Sequence, residues 1–431
     1  ASWPEALAAV RESLLDDLGA EGDALGVLVS PNATLEEMYL LNRLTRHLGS
    51  ENLDHRLRMR DFSDQSADPL WPSLGTAIAD LDNQDGVLVI GSNLRMEVPI
   101  IAHRIRTAAE KGAAVGFVNP EPYEMHFSCA AYVEAPLEHL TKVLAGVVVA
   151  AAELTSSSLP APLAEALKSV ETQDTDREAA EVLVHKEQAL VLLGQLAMRH
   201  PRYAEIRRLA AALADLTGAS LGYLPEGANS VGAALAGVLP HRGPGGVAVD
   251  SAGRDAQGML ASPRRVYLLF GLEPDHDLAD FALAEQALKA ADTVIGFTPF
   301  VTERLLECAD VLLPIGTFAE TAGTFVNVEG SWQSFDAAAS LVGDAREGWR
   351  VLRVLGNELD LPDCEYQRAA DVSDALASEI GDIEANNDYK GRAGVKLQPV
   401  VVNTMTLDVP MYSVDSVVRR GTALQETRIA R

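Results

Sequence analysis

The chain has 431 residues, of which 48% are hydrophobic, so it is long enough for two domains with well-filled cores. Its 62 acidic and 35 basic residues give a formal net charge of −27, which would repel the phosphate backbone of nucleic acids. Nucleic acid is therefore not expected as a partner, and the acidity is typical of a solubilising surface.

The residue pattern argues against a membrane-spanning helix and against sites built from cysteines. The longest apolar stretch, residues 143–152, falls well short of the roughly 20 residues that a membrane helix needs, so it predicts a core helix and no direct membrane insertion. Cys129, Cys308 and Cys364 are too widely separated for a disulfide framework or the grouped thiolates of an iron–sulfur cluster. We expect buried, inert thiols.

The amino-terminal region predicts a helix over 3–18 and a strand over 25–29. A second helix is predicted to start from a capping box of Thr34 and Glu37 and to end near residue 48. The first helix starts from a capping box of Ser2 and Glu5, with no signal region before it. We therefore expect the chain to begin at a domain boundary inside a longer parent protein.

A charged segment follows at 52–61, with the sequence NLDHRLRMRD. It fits a solvated charged loop as well as it fits a site. The next elements are a strand over 86–91, a helix over 99–111 and a strand over 115–118, which together form a parallel crossover unit. The loop Gly91-Ser92-Asn93 lacks the G-x-G-x-x-G pattern, which argues against nicotinamide or flavin binding.

The middle of the chain predicts helices over 176–198 and 203–216. The glycine-rich stretch 218–246 then suits a loop that crosses back between domains. A buried strand over 266–270 ends in a loop that carries His276 between two aspartates. The setting of this histidine fits an exposed loop residue better than a proton-transfer group.

The stretch from 292 to 333 is the one around which the fold is expected to be organised. It starts with a buried strand over 293–297, continues with a helix capped by Thr298 and opened by Pro299, and reaches a second buried strand over 311–313. Two such strands joined by a helix should be parallel. The predicted apolar side of the helix consists of Val301, Leu305 and Leu306.

The loop that follows, residues 316–330, has neither helical nor strand periodicity and carries Glu320, Asn327 and Glu329. It leaves the carboxyl end of a parallel strand, where open α/β sheets place their ligand sites. It is either a ligand loop or a loop that only closes over its own sheet edge. Beyond residue 383 the periodicity fades, apart from a possible strand over 397–403 and a docked carboxyl-terminal tail.

Five stretches together resemble the carboxyl-terminal part of the G subunit of bacterial NADH:quinone oxidoreductase, respiratory complex I, which has the molybdopterin-oxidoreductase fold. They are SPNATLEEMYLLNRLTRHLGSENLDHRLR, VLVIGSNLRMEVPIIAHRIR, GANSVGAALAGVLP, ECADVLLPIGTFAETAGTFVNVEGSWQSF and VDSVVRRGTALQ. Each is weak alone, but their order and spacing are specific. They cover most of the chain.

The resemblance implies an α/β fold with two doubly wound, mostly parallel-sheet domains of the molybdopterin-oxidoreductase type, one of them discontinuous. The discontinuous domain would comprise residues 1–60 and 240–361, and the inserted domain residues 61–239 with a helical extension. Residues 362–431 would form a carboxyl-terminal extension and tail. In active relatives, the sheet-edge loops grip guanine-dinucleotide pterins; here those loops include 91–93, 271–274 and 316–330.

The departures from the active family are informative. The position that ligates the metal in active enzymes falls near Arg60, and a guanidinium cannot be deprotonated to bind a cationic metal. The amide of the family's G-x-N-P loop is replaced by Glu273, whose charge would oppose a nearby phosphate. The β-barrel domain of the active enzymes has no room in this chain.

The resemblance therefore implies no catalytic, cofactor-binding or metal-ligating residue in this chain. Iron–sulfur clusters are expected in the amino-terminal region of the parent subunit, and partners among the other peripheral-arm subunits of complex I. The expected location is the cytoplasmic side of the bacterial inner membrane, peripheral through the complex. The alternatives are an active molybdopterin oxidoreductase of a small substrate, or a stand-alone α/β nucleotide-binding module.

Overall fold

The structure is a computed structural model that describes residues 1–16, 18, 22–384, 386–391, 395–400 and 409–427. The chain divides into two compact units. The first unit comprises Ala1–Met59, Gly227–Glu384 and Tyr412–Arg431, and the second comprises Arg60–Glu226 and Ala385–Met411. The chain thus returns to the first unit at residue 227 rather than at 240. The region after residue 361, predicted as one extension, is divided between the units.

Short apolar runs form the strands, as their residue pattern predicts. The strands in the described residues are β1 (Leu25–Val29), β2 (Leu53–Asp54), β3 (Gly86–Ile90), β4 (Ala114–Asn119), β5 (Ala131–Glu134), β6 (Ala189–Leu193), β7 (Ser220–Tyr223), β8 (Val266–Phe270), β9 (Thr293–Thr298), β10 (Val311–Pro314), β11 (Gly323–Val326) and β12 (Trp332–Phe335).

Helices alternate with the strands through most of the chain. They are α1 (Trp3–Asp16), α2 (Leu35–His47), α3 (Leu94–Glu97), α4 (Pro99–Glu110), α5 (Leu140–Thr155), α6 (Ala161–Leu167), α7 (Asp174–Glu181), α8 (Gln195–Met198), α9 (Tyr203–Thr217), α10 (Ser230–Leu235), α11 (Ala256–Ala261), α12 (Pro274–Asp277), α13 (Phe281–Ala290), α14 (Glu303–Cys308), α15 (Gly348–Glu358), α16 (Ala369–Ile380), α17 (Ser416–Arg419) and α18 (Thr422–Gln425). Among the described residues, no helix combines the length and the apolar character needed to cross a membrane.

The first unit is built on a five-stranded parallel sheet with the order β10-β9-β8-β1-β2. Every residue of β1, β8 and β9 is buried, as expected for strands covered on both faces. The chain proceeds from β1 to one side of the sheet and from β8 to the other. The strand order therefore reverses between β1 and β8, which places a crevice outside their carboxyl ends.

The second unit repeats this arrangement. Its parallel sheet has the order β5-β4-β3-β6-β7, and β3 and β6 are fully buried at its centre. Here the order reverses between β3 and β6. The prediction of an α/β fold with two mostly parallel sheets is confirmed, and each sheet has one such reversal point.

The predicted helix over 176–198 is wrong in its second half. The helix α7 ends at Glu181, and Ala189–Leu193 forms strand β6, which pairs with the central strand β3. The run ALVLL is continuously apolar, which suits a strand buried on both faces as well as one turn of a buried helix. Pairing with β3 makes this run a strand. The glycine-rich stretch 218–246 likewise contains β7 and α10 rather than a loop alone.

The helix predicted to begin at Pro299 begins at Glu303 instead. The hydroxyl of Thr298 accepts a hydrogen bond from the Phe300 amide at 3.1 Å, and Thr302 provides the cap by accepting from the Leu305 amide at 3.2 Å. Of the predicted apolar side, only Leu305 is buried. Val301 and Leu306 are 62% and 63% exposed, so that assignment is wrong as well.

The loop predicted over 316–330 contains a short helical turn and strand β11, which forms an antiparallel hairpin with β12. Asn327 and Glu329 lie in the turn of this hairpin. In the short helical turn before it, the Glu320 carboxylate accepts a hydrogen bond from the Thr317 amide. The predicted strand over 397–403 lies partly outside the described residues, and no strand is assigned to residues 397–400.

Candidate functional site

The first crevice is the space outside the carboxyl ends of β1 and β8, between residues 30–34 and 271–274. Gly271 ends β8 with φ of 66°, a left-handed conformation that turns the chain sharply out of the sheet. A cavity of about 50 Å³ remains here. Its lining includes Ser30, Thr34, Gly316, Asp415 and Ser416. Two of these residues come from the far carboxyl-terminal end of the chain.

We call residues 412–427 the tail. Its helix α17 begins after Asp415, whose carboxylate accepts hydrogen bonds from the amides of Val417 at 2.8 Å and Val418 at 3.1 Å. The side-chain amide of Asn32, in the loop after β1, donates to the Val414 carbonyl at 3.0 Å. The tail is therefore seated against the loop that leaves the first strand of the sheet.

Two arginines of the tail meet two acidic residues of the loop after β8. Arg420 donates to the Glu273 carboxylate at 2.6 Å, and Arg419 lies 3.2 Å from the other oxygen of Glu273. Arg419 also forms an ion pair with Asp277. Glu273 and Asp277 are only 3% and 4% exposed. The contacts of Arg419 are therefore buried, charge-assisted contacts, whereas Arg420 reaches the buried Glu273 carboxylate from an exposed position.

A third arginine completes this group, which we call the crevice cluster: Arg58, Glu273, Asp277, Arg419 and Arg420. Arg58 donates to Asp277 at 2.5 Å and to the His276 carbonyl at 2.9 Å. Burial raises the pKa of Asp277, while the two guanidiniums beside it favour its ionised form. The guanidinium of Arg420 also lies 4.1 Å from the ring centre of Phe300.

The segment 52–61 is mostly buried, so its interpretation as a solvated charged loop is wrong. Arg56 holds the fully buried Asp54 with both of its forked nitrogens at 2.9 Å. Burial works against ionisation of Asp54, but Arg56 leaves its pKa lowered overall. Asn52 donates to the carbonyl of Leu25 at 3.0 Å. These contacts tie β2 to its neighbours.

Other residues singled out in the sequence do not join this cluster through their side chains. His276 is exposed on α12. Arg60 is half-buried and is the first residue of the second unit.

The cysteines form no site with one another. All three are free, and only Cys364 is buried. Burial raises the pKa of each thiol, that of Cys308 to about 11, so they stay protonated and unreactive at neutral pH. Within the described part of the chain, no group of three or more histidine, cysteine or acidic side chains is placed to hold a metal.

The second crevice is the equivalent space outside β3 and β6, between residues 91–93 and 194–195. Gly91 has φ of 62°, and an added Cβ there would lie 2.6 Å from the Ala197 amide nitrogen. The carboxylate of Glu97 accepts hydrogen bonds from the hydroxyl of Ser92 at 2.8 Å and from the amides of Asn93 at 3.0 Å and Gln195 at 3.1 Å. A protein carboxylate thus takes the backbone donors at this reversal point.

The electrostatics of Glu97 follow from this position. Burial raises the pKa of Glu97 to about 6, although the hydrogen bonds from Gln195 and Ser92 favour the ionised form. In the first unit, burial raises the pKa of Glu37, which lines the first crevice, to about 7. Glu37 accepts from the Thr34 amide at 2.8 Å, in the capping box that the sequence predicts.

Three features of these crevices were not predicted. The occupation of the first crevice by Arg419 and Arg420 had one available signal, which is a pair of adjacent arginines in a strongly acidic chain. The role of Glu97 had no signal in the sequence, because one of its hydrogen-bond donors, the Gln195 amide, follows strand β6. Asn229, from the stretch GANSVG, is fully buried and bonds the backbone of Ala33 at 2.8 Å and of Val326 at 2.8 Å. It holds β11 against the loop after β1.

Comparisons with known proteins agree with this architecture. Acetylene hydratase from Pelobacter acetylenicus superposes with a TM-score of 0.60 at 15% sequence identity, covering 90% of this chain and 64% of that protein. The G subunit of NADH-quinone oxidoreductase from Mycobacterium tuberculosis is 28% identical over 392 residues, covering 83% of this chain and 44% of the relative. The G subunit of the same enzyme from Streptomyces coelicolor is 29% identical over 419 residues, covering 86% and 46%.

The chain spans less than half the length of these two curated relatives. It is thus similar to part of an oxidoreductase subunit from multi-subunit enzymes. The sequence profile described as molybdopterin oxidoreductase matches residues 1–358, which is most of the chain. The chain therefore belongs to the molybdopterin oxidoreductase family.

Proposed function

We propose that the chain is a structural, cofactor-free part of the iron–sulfur subunit of a proton-pumping NADH:quinone oxidoreductase. In this proposal it scaffolds the peripheral arm, and the iron–sulfur clusters that carry electrons lie in the amino-terminal region of the parent subunit. The similarity to the G subunits of two bacteria supports the assignment to this enzyme.

The observation that carries the cofactor-free role is the seating of the tail in the first crevice. The remaining cavity of about 50 Å³ is far smaller than the roughly 300–1,000 Å³ of ligand pockets. The guanidiniums of the crevice cluster are already engaged by Glu273 and Asp277. A pterin dinucleotide does not fit these residues as they stand, because its phosphates would have to displace both the tail and two buried carboxylates.

The second crevice supports the same conclusion. Backbone amides at such a reversal point normally cradle a phosphate. Here Glu97 accepts from the amides of Asn93 and Gln195, so a phosphate would compete with a carboxylate already in place. Arg60, near which the position of the metal ligand in active relatives falls, offers no donor atom to a metal.

The partners follow from this role. We expect the chain to contact other peripheral-arm subunits and to lie on the cytoplasmic side of the bacterial inner membrane, peripheral through the complex. Its net charge of −27 argues against a role in nucleic-acid binding.

The test is a cofactor analysis of the purified native assembly and of this chain alone. Metals are measured by inductively coupled plasma mass spectrometry and pterin by fluorescence after oxidation. We expect iron in the assembly and neither molybdenum, tungsten nor pterin in either sample. Stoichiometric molybdenum or tungsten with pterin in the chain would instead establish the alternative, an active molybdopterin oxidoreductase.

A further inference from the structure

The tail is attached to the first unit in the way a bound peptide is. Within the described residues, no strand forms between the tail and the sheet, and the contacts are made mainly by side chains. Asn32 holds the Val414 carbonyl, Arg419 and Arg420 enter the crevice cluster, and Arg420 covers Phe300. Recognition by a few charged anchors is typical of peptide-binding sites.

The crevice has the charge that such a ligand requires. The ion pairs of Glu273 are those with Arg419 and Arg420 of the tail. Its carboxylate is nearly fully buried, so removal of the tail would leave a buried charge without these partners. Arg58 forms its own ion pair with Asp277 and compensates that second carboxylate. The empty crevice would therefore favour a cation.

The geometry is selective for arginine over lysine. Arg419 lies beside Glu273 and Asp277 together, which a forked, planar guanidinium can do and a single ammonium does less well. Arg420 combines its contact to Glu273 with stacking over an aromatic ring, again a property of arginine. The two arginines are adjacent in sequence but use different oxygens of Glu273.

We propose that the first crevice is a binding site for a peptide with two adjacent arginines, and that the tail is its intramolecular ligand. In this proposal the crevice takes guanidinium groups, where the corresponding loops of active relatives would take a phosphate. The inference rests on the proposed function in one respect, which is that no nucleotide fills the crevice.

The test uses the whole 431-residue chain. The double variant Arg419→Glu, Arg420→Glu should release its own tail, because both new carboxylates face Glu273 and Asp277. A fluorescent peptide that covers residues 412–427 is then titrated against this variant and against the wild type, with anisotropy as the readout. We expect the peptide to bind the variant at least about tenfold more tightly than the wild type, whose crevice is occupied.

Three controls identify the site. Adding Glu273→Gln and Asp277→Asn to the double variant should weaken peptide binding at least about tenfold, since charge-assisted contacts become neutral. A peptide that carries Arg419→Lys and Arg420→Lys should also bind more weakly than the arginine peptide. Guanosine diphosphate, used as the phosphate probe, should not compete with the peptide.

Three results would overturn the proposal: a folded double variant that does not bind the peptide, equal binding after neutralisation of the two acids, or competition by the nucleotide.

Circular dichroism checks that each variant is folded. If the double variant is unfolded, hydrogen exchange of the chain carrying only Glu273→Gln decides. Amides of Val417 and Val418 should then exchange at least about tenfold faster than in the wild type, with no change in β1, and unchanged exchange contradicts the proposal. Failure here leaves the cofactor analysis of the native chain unaffected, so the two proposals fail separately.

Discussion

The two crevices occupy equivalent places in their sheets, but the chain fills them from very different distances in sequence. Glu97 fills the second crevice from the same loop and helix that form its wall. Arg419 and Arg420 fill the first crevice from 142 and 147 residues away from the acids that they meet. The tail can leave the first crevice without a change in the loops that form its wall, whereas Glu97 cannot leave the second. We therefore expect the intramolecular ligand to be exchangeable in the first crevice alone.

The two solutions also differ in their energetics. The crevice cluster joins buried charges of opposite sign. The hydrogen bonds of Glu97 come from neutral hydroxyl and amide donors, and Arg199 adds only a charge attraction to them. Loss of one partner from a buried ion pair leaves a charge in a poorly solvated place, and this costs more than the loss of neutral hydrogen bonds. Substitutions in the first crevice should therefore have the larger effects.

The largest effect is expected for Asp277→Ala. This change takes a carboxylate from Arg58 and Arg419, which are both buried, and should lower the free energy of unfolding by about 3–5 kcal/mol. Urea unfolding of the 431-residue chain measures this loss. Asp275→Ala, an exposed change on the same helix α12, is the matched control and should stay within about 0.5 kcal/mol of the wild type. Equal losses in the two variants would show that the buried ion pairs of Asp277 contribute no more to stability than an exposed side chain of the same helix.

The next effect is a pH dependence at Glu37 in the first crevice. Its pKa is about 7 in the folded chain against 4.5 ordinarily, so the folded state holds a proton between these pH values that the unfolded state releases. Stability therefore falls as pH rises from 4.5 through about 7, by up to about 3 kcal/mol from this residue. Glu37→Gln keeps the capping geometry and removes the proton.

The measurement for Glu37 is the free energy of unfolding at pH 4.5 and at pH 8. The Glu37→Gln variant should match the wild type at the lower pH and exceed it at the higher pH. Glu12→Gln, an exposed change on α1, should leave the pH profile unaltered. A Glu37→Gln profile that follows the wild type would show that folding does not raise the pKa of Glu37.

Local pattern was sufficient for much of the fold. The strands β1, β8, β9 and β10 were located within a residue or two because short apolar runs rich in branched residues suit a buried parallel strand. The cap of Thr34 and Glu37 was also correct, since both partners lie within one turn. The strand β6 was missed, because an apolar run of five residues between helical patterns has no strand signal of its own until β3 pairs with it.

The candidate site was less accessible to sequence reasoning. Glu273 was identified as unfavourable for phosphate, but its partners lie at the other end of the chain, and no local rule pairs Glu273 with Arg420. The same limit applies to Glu97, whose donors include the Gln195 amide after β6. Long-range contacts follow from topology, and the topology of the second sheet cannot be derived from a pattern that predicts helix where β6 forms.

A smaller effect is expected in the second crevice for Glu97→Ala. The amides of Asn93 and Gln195 and the hydroxyl of Ser92 lose a common acceptor, which should cost about 2 kcal/mol because water can replace part of it at this half-buried position. Urea unfolding measures the loss, and Glu110→Ala on the exposed face of α4 is the control. A loss as large as that of Asp277→Ala would contradict the energetic contrast between the two crevices.

The smallest effect is expected for Ser92→Ala. This variant tests how far the Ser92 hydroxyl stabilises the ionised carboxylate of Glu97. Loss of its 2.8 Å hydrogen bond to Glu97 should lower the free energy of unfolding by about 1 kcal/mol at neutral pH. That bond favours the ionised carboxylate, so its loss should also move the pKa of Glu97 above the wild-type value of about 6.

Because the folded pKa of Glu97 is raised above its ordinary 4.5, its contribution to stability declines as pH rises through the window between the two values. In Ser92→Ala this decline should extend to higher pH, so the cost of the substitution should be smaller at pH 5 than at pH 8. The exposed change Ser158→Ala should show the same small difference from wild type at both pH values. A cost for Ser92→Ala that does not vary with pH would mean that the hydroxyl only fills space, and that the two backbone amides alone hold Glu97 in the crevice.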